Sequence, residues 1–179
     1  MNPNPPTPVA AFISLGSNLG DSIALVNEAA KQLAAMARGP VLQSSLWATP
    51  PVDCPPGSPG FVNAVMGFTV PERTSPSALL GALQQLELEF GRRPKRVMNE
   101  PRPLDLDLIA FGGQVLQSPT LTLPHPRAHL RHFVLIPWAE IAPDFIIPGL
   151  GLRVQACLEQ LGANPDIRRL PPDQSTRTR

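Results

Sequence analysis

Tyrosine is missing from this chain of 179 residues, cysteine occurs twice, and neither charge sign prevails: 15 basic and 14 acidic side chains leave a net charge of +1. Each shortage excludes something. Cys54 and Cys157 stand far apart with no C-x-x-C spacing, so neither a disulfide framework nor a structural zinc site is expected, and a reducing cytoplasm fits. A balanced charge gives no global pull toward nucleic acid or membrane, so any anion site must be a local cluster of basic residues. An RNA-binding module would want exposed aromatics on a sheet and a basic face, which a chain without tyrosine and with a net charge of +1 does not offer. No run approaches the roughly 18 continuous apolar residues of a membrane span. The opening MNPNPPTP lacks the basic and apolar regions of a signal peptide. The expectation is a cytoplasmic monomer with no nucleic-acid and no membrane partner.

What is present is an ordinary globular composition, 42% hydrophobic and 16% charged, with enough length for one domain. The 24 prolines crowd the ends and the stretch 50–59, where fixed φ and missing amide donors mark loops. One domain over 9–165 is expected, with 1–8 and 171–179 as flexible tails.

Residues 9–15 read as a buried strand closed by a turn at Gly16, after which Asn18 fastens backbone amides and Asp21 caps a helix over 22–37. A strand at 41–48, a proline-rich loop and a strand at 61–70 follow, then a helix that Ser75 starts and Gly91 ends. A further strand covers about 104–111, one or two short strands fall in 114–123, helical turns in 127–130 and 137–141, and a last helix in 152–161. The order strand, helix, strand, strand, helix, strand is that of an α+β fold, the ferredoxin-like split βαβ sandwich with an antiparallel sheet and helices packed on it.

The unusual element is PRPLDLDLIAFGG at 101–113, where Asp105 and Asp107 interrupt a strand whose apolar positions are Leu104, Leu106, Leu108 and Ile109. Alternation turns both acids to one face, about 6 to 7 Å apart. Like charges so placed raise each other's pKa unless a cation compensates. Two readings are open at this point: acids facing water or paired to arginine, and acids that hold divalent cations. The upstream run carries Arg92, Arg93, Lys95, Arg96 and Arg102. Basic residues suit a helix C-terminus, which accounts for Arg92 and Arg93 better than for Arg102. Guanidinium groups clamp phosphate oxygens, and magnesium is usually held by one or two carboxylates plus substrate phosphates, so acids and arginines together suggest phosphoryl transfer. LPHPRAHLRHF at 123–133 adds His125, Arg127, His129, Arg131 and His132. Pro126 keeps His125 outside any helix that holds His129, which argues against a zinc pair and for a second anion-contacting loop. GSNLGD at 16–21 lacks the Lys-Ser/Thr of a Walker A loop.

These motifs, FISLGSNLGD (12–21), ATPP (48–51), FVNAV (61–65), QQLELEFGR (84–92), PRPLDLDLIAFG (101–112) and LPHPRAHLRHFVLIPWAEIAP (123–143), occur in an order that resembles the 6-hydroxymethyl-7,8-dihydropterin pyrophosphokinase family of folate biosynthesis. The resemblance implies transfer of the β,γ-diphosphate of ATP, the co-substrate, to the pterin hydroxymethyl group, with release of AMP. It implies that Asp105 and Asp107 hold two magnesium ions, and that Arg92 and Arg102 steady the developing charge. By the same likeness Gln84 and Glu87 lie on the adenosine side with Ile109, and His125 and Arg131 on the phosphates. Phe61 and Phe133 would sandwich the pterin, while Asn63, Asp105 and backbone groups of Thr49, Pro50, Pro51 and Val52 recognise its edge. The loops 48–60 and 91–103 are long enough to act as lids. Three departures stand out: Asn99-Glu100 where the family commonly has Trp-Gly, Phe61 for a frequent tyrosine, and Pro94 for an arginine in some members, with Arg93, Lys95 and Arg96 as substitutes. The rival reading, a two-metal phosphodiesterase or nuclease, would require more carboxylates or histidines than Asp105, Asp107 and His125.

Overall fold

The computed structural model describes residues 9–93, 97 and 99–172. The expected tail 1–8 and residues 173–179 lie outside that range, as do Pro94, Lys95 and Arg96. In chain order the elements are β1 (Val9–Ser17), α1 (Ser22–Ala35), β2 (Val41–Gln43), β3 (Trp47–Thr49), β4 (Phe61–Val70), α2 (Pro76–Glu89), β5 (Asp105–Phe111), β6 (Leu116–Gln117) and β7 (Thr122–Leu123). A 3-10 turn (Ala128–Leu130), α3 (His132–Ile141), α4 (Val154–Leu161) and β8 (Arg168–Arg169) complete it.

The main sheet runs β5-β1-β4-β3-β8, with β2 also on β4, and every pairing is antiparallel. This is the expected α+β arrangement. β1 lies inside the sheet because both of its faces are apolar, as a strand covered on both sides requires. Ala11, Ile13 and Leu15 enter one core with α1 and α2, while Phe12 enters a second with α3 and α4. The Asp21 side chain caps α1 by accepting from Ala24 N–H, and Ser75 caps α2 by accepting from Ala78 N–H. Leu104, Leu106 and Leu108 fill the first core, as their alternation predicts.

Pairing of β1 with β5 slips by one residue between Phe12 and Ile13, so Ile109 is an extra residue opposite them. The bulge sends both Ile109 and Ala110 into the second core.

Three expectations change. The strand expected at 41–48 breaks into β2 and β3 at Ser44, which keeps one backbone bond to β4, N–H to Val65 O at 3.0 Å, while its Oγ takes the place of a backbone acceptor for Val65 N–H at 2.9 Å. The turn expected from 137 is instead a ten-residue helix with Pro137 inside it, held by Val134, Leu135 and Trp138 against the second core. The sheet also extends past residue 165, since β8 pairs with β3. Glu140 of α3 makes that possible. Its carboxylate accepts from Ser45 N–H, Ser45 Oγ and Trp47 Nε1, and meets Arg169 Nη2 at 3.0 Å. Burial alone would raise the Glu140 carboxyl, but these bonds outweigh it and hold it below the usual carboxylate range.

Candidate active site

The face of the sheet beneath α3 changes character along each strand. On β1 it shows Phe12, then Ser14 and Gly16; on β4, Val65, then Asn63 and Phe61; on β5, Ile109, then Asp107 and Asp105. Phe12, Val65 and Ile109 lie in the core under α3 and α4, whereas the polar and small residues that follow line an open cleft. The register aligns them in rows: Asp107 beside Ser14, and Asp105 beside Gly16, which pairs in turn with Asn63. Helix cover therefore ends where the apolar side chains end.

The cleft encloses about 140 Å³ and is lined by both aspartates, Phe61, Asn63, Phe133 and four arginines, Arg92, Arg102, Arg127 and Arg131. Gly16 forms part of its floor from within β1 rather than from the expected turn. A Cβ there would come within 3.0 Å of Asn63 Oδ1, so the close approach is what calls for glycine. Asn63 Nδ2 donates to Thr49 Oγ1 at 2.8 Å, which fixes the amide. Arg102 lies over the Phe61 ring at 5.7 Å and Arg131 over the Phe133 ring at 5.2 Å from the centroids.

The two acids differ. Asp105 is paired on both oxygens, with Arg102 Nη2 at 2.6 Å from Oδ2 and Arg92 Nη1 at 3.0 Å from Oδ1. Arg102 Nε is buried with no hydrogen-bond partner among the described residues. Asp107 is pushed above the usual carboxylate range by burial and then by the charge of Asp105, against the pull of His125 and Arg131. These two carboxylates could hold a divalent cation. Among the described residues there is no cluster of three or more acids, histidines or cysteines with metal-ligand geometry.

His125 is fixed beside the outer edge of β5 by donating its backbone N–H to Ile109 O at 2.9 Å. Burial, more than Asp107 can offset, lowers its pKa. Its Nδ1 accepts from Arg127 N–H at 3.2 Å, so the neutral ring carries its proton on Nε2. Asp107 and His125 also border a second, more open groove with Gln84, Leu108 and Leu121, so the two recesses meet at this pair.

Of the residues expected at the site, Thr49, Pro50, Val52, Phe61, Asn63, Phe133, Arg92, Arg102, Asp105, Asp107, His125 and Arg131 come together in the cleft, and Gln84 in the groove. Pro51 lines neither recess. Ile109 buries its side chain in the second core and reaches the site only through the bond from its carbonyl to His125. Glu87 lies below the surface at 6% exposure, pairing with Arg92 and accepting Leu106 N–H at 2.7 Å from the unpaired edge of β5. It thus supports the site from behind. Arg127, expected in the second anion-contacting loop, also lines the cleft, whereas the sequence does not single out Ser14, Cys54 and Asn99 for it. Period-2 spacing from Phe12 was the available signal for Ser14. For Asn99 there was none, because its place depends on a bond from Nδ2 to Asp53 O at 2.6 Å between the two loops.

Burial, opposed by the Leu106 N–H and by Arg92, pushes the Glu87 carboxyl from 4.5 up to about 7. A carboxyl raised on folding keeps its proton in the native chain where the unfolded chain has released it. The resulting stability is fully present below the unfolded pKa and is lost as pH rises through about 7. Urea unfolding should accordingly show Glu87→Gln losing about 2 kcal/mol less than the parent between pH 5 and pH 7.5. Identical losses would refute the buried, protonated state.

The model of the 7,8-dihydro-6-hydroxymethylpterin-pyrophosphokinase family matches residues 12–143. A 2-amino-4-hydroxy-6-hydroxymethyldihydropteridine pyrophosphokinase from Synechocystis is 37% identical over 151 residues, which cover 84% of this chain and 75% of the relative. Its namesake from Haemophilus influenzae is 37% identical over 141 residues, 78% of this chain and 86% of that one. Among solved structures, a Plasmodium falciparum HPPK-DHPS superposes with a TM-score of 0.71 at 12% identity, over 93% of this chain and 49% of the other, and so supports the fold alone.

Proposed function

Because the chain belongs to the 7,8-dihydro-6-hydroxymethylpterin-pyrophosphokinase family, its reaction is transfer of diphosphate from ATP to 6-hydroxymethyl-7,8-dihydropterin, and we propose that the cleft under α3 carries it out. The observation that carries the assignment is the pair Asp105 and Asp107, turned to one cleft face among four arginines. Burial and the neighbouring charge of Asp105 disfavour the ionised form of Asp107, and such a carboxylate beside a second acid is a site that a cation would complete. Magnesium fits it, being a hard ion commonly held by one or two carboxylates with substrate phosphates completing its coordination. Held by Asp105 and Asp107, such an ion would supply charge neutralisation at the phosphates and would lower the pKa of the attacking hydroxyl.

The protein's own groups do the rest. Phe61 and Phe133 stack on the pterin from the two sides of the cleft, with Asn63, fixed by Thr49, and the backbone of 49–52 reading its edge. Gln84 borders the groove that takes the adenosine side, which meets the cleft at Asp107 and His125. His125 donates Nε2–H to a phosphate oxygen without adding charge, while Arg131 adds it. Arg102, paired with Asp105 and set over Phe61, and Arg92, paired with the same acid, line the cleft and steady the diphosphate in flight, acting by position and charge. Glu87 and Ile109 act indirectly, through Arg92 and His125. All these groups belong to a single chain, in keeping with a monomeric enzyme, and the free thiols of Cys54 and Cys157 are in keeping with a reducing cytoplasm.

The test is AMP release from ATP. AMP should appear only when 6-hydroxymethyl-7,8-dihydropterin is supplied, and should vanish when magnesium is withheld. AMP formed without the pterin alcohol would favour a phosphodiesterase instead, a reading already disfavoured by the shortage of further ligands among the described residues.

A further inference from the structure

The GSNLGD turn, which matches no phosphate loop, holds a buried amide that reaches both loops over the cleft. Asn18, directly after β1, is 3% exposed. Its Oδ1 accepts Arg102 N–H at 2.9 Å, and its own backbone N–H donates to Arg102 O at 3.2 Å. Both main-chain polar groups of Arg102 thus end on one residue. Its Nδ2 donates to Pro59 O at 3.3 Å, at the foot of the loop that leads into Phe61.

We propose that Asn18 is a positioning residue for diphosphate transfer: it fixes the main chain of Arg102 so that the guanidinium stands against Asp105 and over Phe61, and couples that placement to the 48–60 loop. The inference rests on the functional reading above. Its physical basis is that reacting groups must be held to within a fraction of an ångström, and that an arginine side chain, with several rotatable bonds, is placed only as well as its Cα. The stem of loop 91–103 offers Arg102 no strand pairing, since β5 begins at Asp105. Asn18 supplies the missing pair of backbone bonds. An aspartate would keep the acceptor for Arg102 and lose the donor to Pro59, so the two halves of the device can be separated.

Steady-state kinetics on Asn18→Ala, Arg102→Ala and the double variant test it. Asn18→Ala should lower kcat about 10- to 100-fold with a smaller change in KM for ATP, yet lower it less than about threefold further in the Arg102→Ala background. Multiplicative losses in the double variant would overturn the proposal, because a merely structural role acts independently of the guanidinium. Asn18→Asp should keep more of kcat than Asn18→Ala while raising KM for the pterin several-fold; the reverse ranking counts against the assignment. Should the parent chain release no AMP with the pterin alcohol, the functional reading fails, and amide exchange then tests Asn18 alone. The Arg102 amide should exchange at least about tenfold faster in Asn18→Ala with β1 and β4 amides unchanged, and unaltered protection at Arg102 would overturn it.

Discussion

Asp107→Ala should abolish diphosphate transfer, lowering kcat by at least about 10³-fold, roughly 4 kcal/mol of barrier, while the chain unfolds at the same temperature as the parent or higher. The combination follows from how Asp107 is placed. Unlike Asp105, it has no ion pair among the described residues, and burial and its neighbour's charge both act against its ionised form. A carboxylate so situated is a cost to the empty fold that His125 and Arg131 offset only in part and a bound cation would offset further. Removing it leaves the strand intact, because Leu106 and Leu108 on the opposite face hold β5 to the first core. AMP-release kinetics beside thermal unfolding would check both halves. Wild-type turnover would refute the metal assignment, and a large drop in melting temperature would show that Asp107 serves the fold.

Arg102→Ala should slow the chemical step by about 10²- to 10³-fold while ATP affinity changes by less than about tenfold. The guanidinium donates to Asp105, reaches Glu100 O at 3.4 Å, and lines the cleft, where its charge meets the substrate phosphates. Arg92 still holds Asp105 in the variant, so the acid is not left unpaired. Arg102→Lys should recover little, since a point charge cannot reproduce the planar fork. Single-turnover rates measured beside equilibrium ATP binding separate the two effects. A loss confined to affinity would remove Arg102 from the transition state.

Elements with a local signal could be read directly. β4 matches its expected span, both long helices start at the expected caps, and the alternation of Asp105 and Asp107 with leucines places the acids on one face. What eluded the sequence depends on partners distant along the chain. β3 separates from β2 at Ser44, whose Oγ accepts Val65 N–H, and the side chains that follow, Ser45 and Trp47, bond to Glu140 more than ninety residues away. β8 consists of two exposed arginines with no apolar pattern, fixed only by its neighbours. The family resemblance puts Glu87 on the adenosine side, yet in the structure its bonds go to Arg92 and to the edge of β5. Gly16 reads as a turn because a glycine after an apolar run usually is one, whereas here the crowding comes from Asn63 across the sheet.

The small strand at Arg168 and Arg169 also limits how this protein can be shortened or joined to another. It covers the outer margin of β3, and Arg169 brings to Glu140 the charge that completes its shell. A version cut before Arg168 would present naked amides and carbonyls alongside Trp47, the kind of border on which chains stick to one another. A fusion partner attached at this end therefore belongs after Leu170, whose N–H bonded to Leu46 O is the last backbone tie to the sheet among the described residues.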